Sequence, residues 1–196
     1  MLFRSLCKSE NAVICAIGAM TNIAALLESK GDDISPLDGV ELVRERCAAF
    51  VLMAGIFDPT VTRTEWNIHL DIAAARTVAE RSPVPIVWLP SETGANVITG
   101  GPILQDETPL GLAFRLFPGV LKKGGRSSWD PATVLYAAEG AGPYFQESEW
   151  GTVSVDAEGK TVFVPDAKGT HRVLALRSGA EAPLAARIDA CALCLR

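Results

Sequence analysis

The densest polar constellation in the chain is Glu65-Trp66-Asn67, followed by Asp71. A carboxyl, an indole and an amide stand side by side. In an extended segment, residues two apart project to the same side, so Glu65 and Asn67 would point together. A carboxyl accepts from sugar hydroxyls, and an amide both accepts and donates, which is the chemistry of a sugar site. The same residues also read as a capped helix start, with Asn67 or Asp71 as N-cap. Spacing alone leans to the cap and leaves both readings open.

Other chemistries lack their signatures. The sequence has no G-x-G-x-x-G, no G-x-x-x-x-G-K-[ST], no G-x-S-x-G and no H-E-x-x-H. Only two histidines occur, His69 and His171. Each reads as a polar surface or edge residue. Cys15 and Cys47 sit in apolar runs and read as small buried hydrophobes. Cys191-x-x-Cys194 falls in the last six residues without a second ligand pair, so it reads as neither a redox nor a zinc site. The basic cluster Lys122, Lys123 and Arg126 reads as a solvated loop.

Positioning the polar constellation requires a scaffold. The run 12–17 (AVICAI) is continuously apolar, as in an inner strand covered on both faces. Gly18 ends it, and Thr21 can cap the helix that comes next. Val40 to Arg46 reads as a short helix and 48–53 as a second buried strand. A loop containing Pro59 leads to a helix over about 71–81, and 86–89 (IVWL) is a third strand. Asp130-Pro131 opens another helix, with the Asp at the N-cap and the Pro at N1. Residues 151–155 and 160–164 alternate apolar and polar around a turn, which predicts a β-hairpin, and 171–176 adds a strand.

Strands separated by helices predict an α/β fold with a mostly parallel sheet and flanking helices. No repeat or linker divides it, so residues 1–196 form a single domain, with a hairpin appendage at about 150–176. In such sheets ligands bind beyond the carboxyl ends of the strands. Three loops qualify here: 18–22, 53–67 and 89–96. The net charge of −5 leaves no basic surface to neutralise phosphates along a nucleic acid. No run reaches the length of a membrane span. The odd number of scattered cysteines fits a reducing, cytoplasmic setting.

Taken in order, these residues resemble a family. Gly18-Ala19-Met20-Thr21-Asn22 after a buried strand is similar to the GPLTN turn of the inosine/uridine-preferring nucleoside hydrolases. Met53-Ala54-Gly55 is similar to their M-G-G. Glu65-Trp66-Asn67-Ile68, with Asp71 and Ala73-Ala74-Ala75, resembles their E-F-N-I-x-x-D-P-E-A-A. Asp130-Pro131 resembles their late H-D-P. The order holds over roughly residues 12 to 140.

The resemblance implies a calcium-dependent N-glycosidase acting on ribonucleosides in purine or pyrimidine salvage. Calcium would hold the ribose hydroxyls and a water, and an aspartate would take the water's proton. Thr21, through its carbonyl, and Asp130 would be calcium ligands. Met53, Glu65 and Asn67 would line the ribose pocket. Trp129 stands where many members carry a leaving-group histidine, and would stack on the base. The resemblance also implies a homo-oligomer.

The family opens with D-x-D-x-x-x-D-D, which supplies the base and most calcium carboxylates. Nothing before Thr21 matches it, and Asp32-Asp33 comes after the first helix. No catalytic base is therefore assigned. The expectation is the C-terminal two-thirds of such an enzyme, inactive alone and binding calcium weakly. A segment encoded upstream of Met1, or a complementing chain, would complete it. The alternative is a noncatalytic module that binds a ribosyl compound or a partner protein. A third possibility is an unrelated sugar- or nucleotide-binding α/β module.

Overall fold

The computed structural model describes residues 8–194. Its elements run β1 (Ala12–Ala16), α1 (Thr21–Glu28), α2 (Gly39–Arg46), β2 (Cys47–Met53), α3 (Trp66–Leu70) and α4 (Ile72–Arg81). Next come β3 (Ile86–Leu89), α5 (Ser91–Gly94), β4 (Ile98–Thr99), α6 (Pro109–Leu116), α7 (Val120–Lys123) and β5 (Arg126–Ser127). The chain closes with α8 (Trp129–Glu139), β6 (Phe145–Glu147), β7 (Gly151–Val155), β8 (Thr161–Pro165), β9 (His171–Leu176) and α9 (Glu181–Cys194).

The main sheet has the order β1-β2-β3-β9-β7-β8, and β6 pairs with β9. The first four strands are mutually parallel. Strands β6 and β7 run antiparallel to β9, and β8 runs antiparallel to β7. The result is the mostly parallel α/β architecture expected from the sequence. The hairpin is not an appendage: Gly151 pairs with His171, so β7 and β8 continue the sheet, and Val153 and Val155 are buried in its core.

Side chains of the inner strands alternate between two cores, as a period of two requires. Phe50, Leu52, Ile86 and Trp88 face the layer formed by α1, α2 and α4. Val51, Val87 and Leu89 face α8 and α9. Helix α2 begins at a reciprocal cap: the Asp38 side chain accepts from Glu41 N at 2.9 Å, and the Glu41 side chain accepts from Asp38 N at 3.1 Å.

Four local expectations are corrected. Strand β1 is an edge strand among the described residues, with Val13 43% exposed, rather than an inner strand. Thr21 is the first residue of α1, not its cap, and its hydroxyl donates to Asp71 Oδ2 at 2.8 Å. Helix α8 starts at Trp129 with Ser128 as N-cap, so Asp130 and Pro131 fall at the second and third helical positions. His171 is not at a surface or edge. It lies buried between β3 and β7, and its Nδ1 accepts from Val153 N at 2.9 Å. His69 is exposed, as expected, and stacks beside Trp66.

Candidate functional site

Strands β1, β2 and β3 are neighbours and end on the same side of the sheet. The segments that leave their carboxyl ends meet at one cavity of about 320 Å³. Ile17 comes from just beyond β1, Met53 from the end of β2 and Ser91 from just beyond β3. Arg63 and the start of α3, with Glu65, Trp66 and Asn67, form one wall. Arg126, Trp129 and Asp130 form another. This is the position at which parallel sheets place ligands.

Glu65 is buried and is the N-cap of α3. Its Oε1 accepts from Asn67 N at 3.0 Å, and its Oε2 accepts from Ile68 N at 3.1 Å. A third donor, Gly55 N at 3.4 Å, ties this cap to the end of β2. Gly55 has φ +88°, a conformation that glycine adopts without strain, and it turns the chain away from the strand there. The segment is therefore helical, not extended. Glu65, rather than Asn67, caps α3, and Asp71 caps α4, accepting from Ala74 N at 3.0 Å. The Ala74 amide and the Thr21 hydroxyl hold the Asp71 carboxyl below its ordinary pKa.

Asn67 is buried and lines the cavity from the second position of α3. Its Nδ2 donates to the Met53 carbonyl at 2.9 Å and lies 3.2 Å from the Met53 sulfur. Its Oδ1 accepts from no described residue, which leaves an acceptor at the cavity. Trp129 donates its indole Nε1–H to the Ser91 carbonyl at 2.7 Å, so that proton is committed to the backbone. The ring packs on Gly94, where a Cβ would stand 2.5 Å from Trp129 Cδ1. Asp130 is exposed at the rim. Desolvation by its neighbours raises its carboxyl above the ordinary pKa, and the Arg126 charge offsets part of the rise.

Of the residues singled out in the sequence, Met53, Glu65, Asn67, Trp129 and Asp130 line this one cavity. Thr21 does not line it, and its hydroxyl is engaged by Asp71. The sequence reading named Trp66 in its constellation and missed Ile17, Arg63, Ser91 and Arg126. Arg63 lies two residues before Glu65 in the same loop, a proximity that could have flagged it. Arg126 belonged to a cluster read as a solvated loop. It lines the cavity instead, its guanidinium 3.9 Å from the centroid of Phe117.

Calcium takes six to eight oxygen ligands. Asp130 is the one free carboxyl among the described residues at the cavity, and it lies beside Arg126. Among the described residues, no group of three or more His, Cys, Asp or Glu side chains could hold a metal. Nor is any helix among them long and apolar enough to cross a membrane.

The family model described as "Inosine-uridine preferring nucleoside hydrolase" matches residues 1–191. No curated protein matches. Several solved structures share the fold. A purine-preferring ribonucleoside hydrolase from Gardnerella vaginalis is 20% identical, with a TM-score of 0.67, over 96% of this chain and 64% of the other. The inosine-uridine preferring nucleoside hydrolase from Bacillus anthracis is 17% identical, with a TM-score of 0.61, over 96% and 63%. The type III effector protein XopQ, solved in complex with adenosine diphosphate ribose, is 19% identical, with a TM-score of 0.59, over 96% and 64%. The chain thus spans less than two thirds of the length of these structures.

Proposed function

This chain belongs to the inosine-uridine preferring nucleoside hydrolase family, and on that premise we propose that its cavity binds the ribosyl group of a ribonucleoside as part of an N-glycosidase site. The observation that carries the proposal is the convergence of Met53, Glu65, Asn67, Trp129 and Asp130 on one cavity at the carboxyl ends of three parallel strands. The unpaired Asn67 Oδ1 accepts from a ribose hydroxyl. The Met53 side chain covers the apolar face of the sugar. Trp129 offers its ring to the base, but its committed N–H cannot protonate a departing base.

The described residues bind; they do not complete the reaction. Glycoside hydrolysis needs a base that takes a proton from water as the bond to C1′ breaks. Glu65 already accepts from three backbone amides, so taking a proton would break its own cap. Asp130 is the carboxyl that the family resemblance gives to calcium rather than to the water's proton. A calcium ion would need oxygen donors beyond Asp130. We therefore assign this chain ribosyl recognition, with N-ribosyl cleavage belonging to a completed site. The bound adenosine diphosphate ribose in the XopQ structure favours a ribosyl ligand for this chain too.

Two assays on one preparation test this. Equilibrium dialysis against a panel of ribonucleosides should detect binding. Ribose release from the same panel, with and without Ca²⁺, should stay at background. If no ribonucleoside binds, the reading fails. Ribose release abolished by Glu65→Ala would instead make Glu65 the base.

A further inference from the structure

We propose that this site, if it binds ribosyl groups as argued above, prefers a ribose carrying a phosphate over a neutral one. The observation is a pair of guanidinium groups, Arg63 and Arg126, lining the same cavity as Asn67 and Trp129. Neutral nucleosides carry nothing that needs two positive charges.

Neither arginine is consumed by the fold. Arg63 donates one N–H to the Ser91 hydroxyl at 3.1 Å, a neutral partner. Among the described residues it has no carboxylate partner. A guanidinium has five N–H donors, so most of its fork is free. Arg126 lies over the Phe117 ring, a contact that uses none of its N–H donors. Planar, edge-on donors of this kind suit phosphate oxygens.

Two carboxyls, Glu65 and Asp130, line the same cavity, and among the described residues neither forms an ion pair with Arg63 or Arg126. Glu65 is buried behind three backbone N–H donors. Asp130 offsets one guanidinium at most, and Arg126 is the one whose charge acts on it. Arg63 keeps most of its N–H donors free and is anchored just beyond the end of β3 through Ser91. A ribosyl group against Met53 and Asn67 would therefore present a phosphate substituent to a wall of donors.

The phosphorylated ribose could come from a sugar phosphate or from a nucleotide. The test therefore titrates ribose, ribose 5-phosphate, adenosine, adenosine 5′-monophosphate and inorganic phosphate into the chain by calorimetry. Expected is an affinity at least about tenfold higher for a phosphorylated ligand than for its neutral counterpart. That advantage should shrink as NaCl rises from about 50 to about 500 mM, because salt screens exposed charges. It should also fall towards unity in Arg63→Gln/Arg126→Gln, with Arg63→Lys/Arg126→Lys keeping part of it. An advantage in the nucleotide pair alone identifies the nucleotide as the source; one in both pairs identifies the sugar phosphate as sufficient. Equal binding of neutral and phosphorylated ligands overturns the proposal and leaves ribosyl recognition standing. So does an advantage that persists in the double glutamine variant. Inorganic phosphate binding as tightly as ribose 5-phosphate also overturns it, since the sugar then adds nothing. If none of the five binds, the proposal and the ribosyl reading fall together.

Discussion

Asn67 serves two roles from one side chain. Its Nδ2 holds the Met53 carbonyl and its Oδ1 is left for a ligand. Asn67→Ala should cost stability by about 1–2 kcal/mol, the worth of one buried hydrogen bond. It should also lower ribonucleoside affinity by at least about tenfold. Urea unfolding and calorimetry separate the two, because a purely structural Asn67 would change only the first. His171 makes a second prediction at this scale. Burial pushes its pKa down to about 4 from the ordinary 6.5. Between those values the unfolded chain takes up a proton that the folded chain refuses. Stability is therefore full above about pH 6.5 and falls as pH drops towards 4, by on the order of 2–3 kcal/mol. Urea midpoints across that range should show the slope, and His171→Gln should remove it. The sequence pointed to Asn67 but misjudged His171. A lone histidine in a β-rich stretch does not reveal which side of its strand is covered, and here β3 and β7 cover both edges.

The elements set the side chains, and the start of α8 shows how. Trp129 is fixed by its hydrogen bond to the Ser91 carbonyl and by contact with Gly94 at the end of α5. A methyl group at Gly94 would stand 2.6 Å from the Trp129 Cα and 2.5 Å from its Cδ1. Gly94→Ala should force the two helices apart at a cost of about 1–3 kcal/mol. Among the indole N–H resonances of the four tryptophans, that of Trp129 should move most. Unchanged stability and an unmoved Trp129 signal would show that this packing does not position the ring. Strands β2, β3 and β9 were legible in the sequence because short apolar runs between breakers mark inner strands. Helix α3 was not: five residues held by Glu65 carry too little periodicity to register. Helix α9, alanine-rich and weakly amphipathic over its 14 residues, was missed as well.

At the scale of the whole molecule, the parallel half of the sheet brings residues from 17 to 130 to one end. That convergence is a consequence of strand direction, so the order of strands and helices was enough to foresee it. Strand β1 is an edge strand among the described residues yet carries an inner strand's pattern, because an apolar run reads the same with one paired neighbour or two. The two arginines were hidden for a related reason: a charged residue in a loop looks solvated until the fold says what it faces. Binding at the carboxyl ends of β1, β2 and β3 remains the central claim, and Met53 at the end of β2 reports on it directly. The chain has three methionines, Met1, Met20 and Met53, so their ¹³C methyl spectrum holds three signals. Met20 is buried beneath α1 and does not line the cavity. Titration with a ribonucleoside to saturation should shift the Met53 methyl and leave that of Met20 in place. A Met53 signal that stays fixed at saturation would contradict the account.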